Sequence, residues 1–301
     1  MPELTPHTDL PRHKPDPLPA IRPLPEYAVE GRRKQWYEEM KSVLQVPWMG
    51  VVTMAYAHYP NFFESLWRGL APLAASREFV HSFLGNRVFV EEAVSGLRPP
   101  PILEELRQGG YATREIDDIR AMLEIFSHGN QPYLLIATLV RYLLEGHELT
   151  GPASAGTFSG RHGPDVQIPL ILLEAHHADA PTRAIYQDIQ QVLGLPFVNT
   201  DYRALARWPS YWASAWRDLR EMVGGAAYQG ICQACHDRCV AQVSGELPNP
   251  GGLSAAGLRA AAARDASVEE VLEMARLFQW LIPGLITNVA WLRLQLRDPG
   301  G

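Results

Sequence analysis

Long apolar runs, basic clusters and a cysteine framework are all missing from this 301-residue chain. The longest apolar stretches, Leu134–Val140 and Leu281–Leu292, are too short or too broken by Pro283 and Asn288 to span a bilayer, which takes about 20 consecutive apolar residues. Lysine and arginine number 27 against 33 acidic residues, a formal charge of −6. With no basic-aromatic stripe either, neither nucleic acid nor a membrane surface is expected as a partner. Three cysteines cannot build a disulfide framework, and the expected location is the reducing cytoplasm. Alternating apolar-polar runs bounded by turns are absent, which argues against a β-sheet.

What the chain does have is proline at its start and a repeat in its body. Prolines stand at 2, 6, 11, 15, 17, 19, 23 and 25, so residues 1–28 read as an extended arm that cannot nucleate a helix. The arm lacks the apolar core of a signal peptide. Beyond it, Pro47 and Pro196 stand 149 positions apart, and so do Pro60 and Pro209, Trp67 and Trp216, Arg68 and Arg217. The same offset joins Tyr37 to Tyr186, Ser95-Gly96 to Ser244-Gly245, and Leu123-Glu124 to Leu272-Glu273. A constant offset over so long a stretch indicates a tandem duplication. We assign a first helical repeat to 29–149, a Gly/Ser/Pro-rich linker to 150–178 and a second repeat to 179–301.

Each copy reads as helices. Apolar residues at 36, 37, 40, 43 and 44 mark one helical face over Lys34–Leu44. Pro60 and Pro209 each open a Trp-rich helix at its first turn. Apolar helices over Ile119–Leu144 and Val268–Leu296 close the two copies, with Pro132 and Pro283 expected to kink them. The predicted fold class is all-α, a tandem pseudo-repeat forming a pseudo-dimer with a cleft between the copies, and such interfaces favour ligand sites.

The informative positions are those where the copies differ in polarity. Trp48-Met49-Gly50-Val51-Val52 in the first copy faces Phe197-Val198-Asn199-Thr200-Asp201 in the second, so Asp201 replaces Val52. Asn199 and Thr200 are good N-cap residues, and Asp201 falls in the first turn after them. One reading makes Asp201 a helix-start stabiliser worth about 0.3–1 kcal/mol. The other makes it a general base facing an apolar cleft. A second candidate is the polar insert His128-Gly129-Asn130-Gln131-Pro132-Tyr133 in an apolar helix. It is either a simple kink or a device that aims the Asn130 amide and the Tyr133 ring inward, where an amide can hold a water. Cys232, Cys235, Cys239 and His236 would crowd one helix, a poor way to surround a tetrahedral ion, so core packing is expected there. His176-His177 reads as a solvated loop pair.

These blocks together resemble the group I 2-haloacid dehalogenases, an all-α family of D-specific and non-stereospecific enzymes. The matching pieces are Val46-Pro47-Trp48, Tyr59-Pro60 with Trp67-Arg68, Gly129-Asn130 with Tyr133-Leu134-Leu135, and Asp201 through Pro209. The resemblance covers roughly residues 30–296. It places the family's base on Asp201 and its water-holding amide on Asn130. Trp48, Gly50, Val51, Tyr133, Phe278, Leu281, Ile282 and Leu285 would line the pocket, although Gly50-Val51 departs from the family's small-aromatic pair. Backbone N–H groups around Asn199 and Thr200 would hold a substrate carboxylate. The family's D-selective members carry Asn two residues before the base, as Asn199 does here. The resemblance further implies no metal or organic cofactor, a small 2-haloacid as substrate, and a homodimer.

The reaction so implied is hydrolysis of a 2-haloalkanoic acid to the 2-hydroxyacid with inversion. Asp201 would take a proton from water as its oxygen attacks C2, with no covalent intermediate. An ordinary Asp, with a pKa of about 3.9, is ionised at neutral pH and available for that task. No Gly-x-Asp/Ser-x-Gly elbow after a strand and no Asp-x-Asp at a strand end supports the usual covalent routes. The competing readings are a catalytically silent helical relative that binds a small carboxylic acid, or a helical protein whose Pro-rich arm serves a protein partner.

Overall fold

The computed structural model describes residues 10–166 and 168–298. Within them the chain is all-helical. The order is α1 (Gly31–Leu44), α2 (Val51–Tyr56), α3 (Pro60–Ala74), α4 (Arg77–Ser95), α5 (Leu103–Gln108), α6 (Thr113–Leu144), α7 (Ala180–Leu193), α8 (Thr200–Leu205), α9 (Pro209–Arg220), α10 (Ala226–Ala241), α11 (Ala255–Ala262) and α12 (Val268–Gln295). A single isolated bridge, Ser76 to Thr157, is the one trace of extended pairing among the described residues. No helix there is long and apolar enough to cross a membrane.

Local chemistry explains the helix ends. Pro60 and Pro209 occupy the first turns of α3 and α9, where a missing N–H costs nothing and φ is already helical. Asp179 caps α7 by accepting from Thr182 N at 2.8 Å, and Ser254 caps α11 by accepting from Gly257 N. At their C-terminal ends α1 and α7 both turn through a left-handed residue, Gln45 (φ 50°) in one and Gly194 (φ 61°) in the other. Helix α6 runs unbroken through Pro132, and α12 through Pro283. Burial of the surrounding apolar faces offsets the hydrogen bond each proline removes.

The chain forms two compact units. The first takes Met1–Val88, His128–Pro164 and Gln233–Gly284; the second takes Phe89–Ser127, Asp165–Cys232 and Leu285–Gly301. In the first, α1, α2 and α11 pack on α3, around the fully buried Tyr37, Phe62, Phe63 and Trp67. The Gly69 and Gly251 backbones approach so closely that a Cβ on Gly251 would overlap Gly69 O. The described part of the Pro-rich arm belongs to this packing. Leu10 is buried, Pro11 O accepts from Arg141 Nη1 at 2.9 Å, and Arg12 Nε donates to Trp280 O. Residues 1–9 of the arm lie outside the described residues.

In the second unit α7 packs on α9, and Tyr202 stacks on Trp212 with ring centroids 5.4 Å apart. A half-buried charge network ties Arg293 to Glu91 (2.5 Å) and to Glu124. Each bond of one set recurs 149 positions later in the other unit. Tyr37 Oη donates to Leu24 O at 2.8 Å, and Tyr186 Oη to Leu173 O at 2.7 Å. Trp67 Nε1 donates to Glu39, and Trp216 Nε1 to Asp188. Leu24 N donates to Met54 O as Leu173 N does to Arg203 O. The three thiols are buried, and no group of three or more His, Cys, Asp or Glu among the described residues is placed to hold a metal.

Candidate active site

In the first unit, residues 128–133 of α6 meet the segment that follows α1. The Tyr133 hydroxyl donates to Trp48 O at 2.9 Å, and the two rings meet edge to face with centroids 6.5 Å apart. Burial pushes the Tyr133 hydroxyl's pKa well up, and the Gly50 N–H, donating to the phenolic oxygen, opposes that only in part. The phenol therefore stays protonated at every working pH and acts as a fixed donor. Two glycines permit the fit. A Cβ on Gly50 would lie 2.6 Å from the Tyr133 ring, and one on Gly129 would lie 2.7 Å from Trp48 Cη2. So the polar insert has a structural purpose: Gly129 admits the indole and Tyr133 holds the chain beneath it.

Asn130, on the same turn of α6, is 7% exposed, and Trp48 and Tyr133 are buried as well. Gly50 is the N-cap of α2, whose first residue, Val51, is half-buried. Phe278, Leu281 and Ile282 are buried on α12, and Phe278 packs edge to face on Tyr56 of α2 at 6.5 Å. Together with Leu285, which falls in the second unit, they follow the i, i+3, i+4, i+7 spacing of one helix face.

In the second unit, Asn199 is the N-cap of α8, Thr200 its first residue and Asp201 its second. Asp201 is only 3% exposed. A carboxylate that merely favours a helix start does so from the surface and gains nothing from losing water. Asn199 makes no side-chain cap bond, and its Oδ1 is buried with no hydrogen-bond partner among the described residues. A buried amide oxygen so placed is a ready acceptor for a polar ligand. Thr200 is half-buried and receives a long 3.5 Å contact from Arg203 Nη2.

Two features near these residues were not anticipated from the sequence. Tyr202, next to Asp201, is fully buried and accepts from Asn288 Nδ2 at 2.7 Å. Asn288 had stood out only as a polar break in an apolar run. His128 holds Leu44 O at 2.9 Å through Nε2, although its place beside Asn130 was the only signal for it.

The family described as halocarboxylic acid dehydrogenase DehI matches residues 47–195. An (R)-2-haloacid dehalogenase of Rhizobium sp. (strain NHG3) is 46% identical over 246 residues, covering 81% of this chain and 95% of that protein. Another from Pseudomonas putida is 34% identical over 98% of both chains. A solved complex of a D-2-haloacid dehalogenase mutant with D-2-CPA superposes with a TM-score of 0.80 at 32% identity, covering 93% of this chain and 97% of that one. The chain belongs to the DehI family of 2-haloacid dehalogenases.

Proposed function

We propose that this protein hydrolyses a D-2-haloacid to the 2-hydroxyacid and halide, with inversion at C2, using Asp201 as general base on a water held by Asn130. The observation that carries the reading is the burial of Asp201 at the head of α8, in a chain 46% identical to an (R)-2-haloacid dehalogenase. In the step itself the water oxygen forms a bond to C2 as the carbon-halogen bond breaks. The halide leaves with the bonding pair, and the water proton passes to Asp201. General-base help of this kind supplies roughly 10²–10⁴ in rate. Alignment of water and C2 in a packed pocket supplies the remainder.

Trp48, Tyr133, Gly50, Val51, Phe278, Leu281, Ile282 and Leu285 form the apolar lining in this reading. The Trp48–Tyr133 contact forms one wall of it. Ring edges carry partial positive charge, so the Trp48 edge suits the departing halide. The Asn199 Nδ2 group and the backbone N–H at Thr200 donate to the substrate carboxylate in this reading, and Asn199 favours the D-enantiomer. We take the architecture to be a tandem pseudo-repeat of 29–149 and 179–301. Its support is the shared 149-residue offset between the starts of α1 and α7, α2 and α8, α3 and α9, and α4 and α10, together with the matched hydrogen bonds. As the resemblance implies, the assembly is a homodimer, which sedimentation distinguishes from a monomer.

The test is halide release from D- and L-2-chloropropionate. The parent chain releases halide from the D-form, and Asp201→Asn reduces kcat by about 10² or more at unchanged folding. Full activity of Asp201→Asn removes the proposed base, and an inactive, folded parent returns the reading to a silent carboxylate binder.

A further inference from the structure

The segment joining the two copies is more than a spacer at its first-unit end. Residues 156–163 dock at two places. Near α3 and α4, Gly156 O accepts from Arg77 N at 2.7 Å, and Phe158 N donates to Ala75 O at 2.9 Å. At the end of α1, Gln45 Oε1 accepts from both His162 N and Gly163 N at 2.8 Å, and Gln45 Nε2 donates to Gly160 O at 3.0 Å. Glycine at 163 permits this approach, since a Cβ there would sit 2.5 Å from Gln45 O.

Two histidines complete the grip. His162 Nε2 meets Val43 O at 3.2 Å and His128 Nε2 meets Leu44 O at 2.9 Å. A carbonyl can only accept, so both rings carry their proton on Nε2. They lie 5.4 Å apart, and Phe83 packs edge-on to both, at 5.6 and 5.5 Å. Val43 O and Leu44 O belong to the last turn of α1, where carbonyls have no helical partner. The second copy closes its first helix with a different residue. Gly194 takes the left-handed C-cap position there, whereas the first copy keeps a non-glycine residue at a cost of roughly 1–2 kcal/mol. A glutamine in that conformation has a reason to be there only if its amide is used.

Three residues beyond Gln45 comes Trp48, whose ring lies on Gly129 and whose carbonyl is held by Tyr133. Helix α6 thus grips residues 44–48 from one side at His128, Gly129 and Tyr133, while the linker grips residues 43–45. We infer that residues 156–163 are a strap that sets the position of the Trp48 pocket wall, with Gln45 and His162 as positioning residues for substrate binding. The inference rests on the proposed dehalogenase reading for its link to substrate.

The experiment compares the parent with Gln45→Gly, His162→Ala and His162→Gln. Gln45→Gly keeps the left-handed turn and deletes the side chain with its amide. Two measurements are made: KM and kcat for D-2-chloropropionate, and backbone hydrogen exchange of residues 46–50, where every residue but Pro47 carries an amide proton. Gln45→Gly and His162→Ala should each raise KM about tenfold with kcat within about twofold, and speed exchange at 46–50. His162→Gln, which keeps an N–H donor, should recover most of the KM. An unchanged KM in the first two variants overturns the inference, as does a His162→Gln variant no better than His162→Ala. If the parent itself turns over no D-2-chloropropionate, the reaction assignment is what fails. The strap then stands or falls on exchange at 46–50, supported if both variants exchange faster and overturned if neither does.

Discussion

Replacing Gly129 by alanine sets two known effects against each other on one helix. In an ordinary helix interior, Gly→Ala stabilises by about 0.5–1 kcal/mol through backbone entropy. At 129 the added methyl would sit 2.7 Å from Trp48 Cη2, 3.3 Å from Cζ2 and 3.4 Å from Cζ3. A carbon pair prefers about 3.5–4.0 Å, so the indole must retreat by roughly an ångström. Its carbonyl is tied to Tyr133, and the side chain is buried. Overpacking of that kind costs about 1–3 kcal/mol. The net expectation is a loss of about 0.5–2 kcal/mol, or a fall of a few degrees in Tm, with KM for the haloacid raised because the pocket wall has moved. Gly230 in α10 is the matched control. Nothing lies within 4 Å of its would-be Cβ, so Gly230→Ala should gain up to about 1 kcal/mol and leave KM alone. Thermal unfolding and steady-state kinetics of the two variants decide the matter. Equal stabilisation by both substitutions would refute the claim that Trp48 lies against that face of α6.

Tyr133→Phe removes the donor to Trp48 O while keeping the ring. It should lower stability by about 1–2 kcal/mol and raise KM more than it lowers kcat, read from denaturant unfolding and initial rates. A pH prediction follows from His162, whose pKa burial holds below the usual value, its bond to Val43 O opposing this in part. The folded chain therefore binds fewer protons here than the unfolded chain. Its stability contribution is full above about pH 6.5 and declines as pH falls through that value toward the folded pKa. Urea unfolding of the parent and His162→Gln between pH 5 and 8 should show a shallower acid decline in the variant. An identical decline would mean His162 does not titrate in this way.

Helical class was legible because nothing competed with it: proline at 60 and 209 fixed two helix starts, and 3.6-residue periodicity outlined the rest. The 149-residue offset was legible for the same reason that it recurs in hydrogen bonds, since Tyr37 and Tyr186 are conspicuous residues doing the same job. Asp201 stood out as a charge where its sister position is apolar, and its burial needed coordinates. Pro132 was read as lying inside one helix, and α6 does run on through it, because the apolar burial around α6 outweighs the lost hydrogen bond. The arm read as extended, but where it docks was hidden, because contacts such as Arg12 to Trp280 O, 268 positions apart, leave no trace in local pattern. Gln45 and His162 were hidden in the same way. A glutamine after a helix and a histidine in a Gly-rich loop are ordinary until the fold brings them together.

The central claim is that water, activated by Asp201, attacks C2 directly. A single turnover in ¹⁸O-water, with enzyme in excess over D-2-chloropropionate and both product and peptides weighed by mass spectrometry, tests it. Direct attack puts the label in the hydroxyl of the 2-hydroxyacid and none in the peptide that carries Asp201. An unlabelled product with label in the Asp201 carboxylate would contradict the account and make that residue a nucleophile.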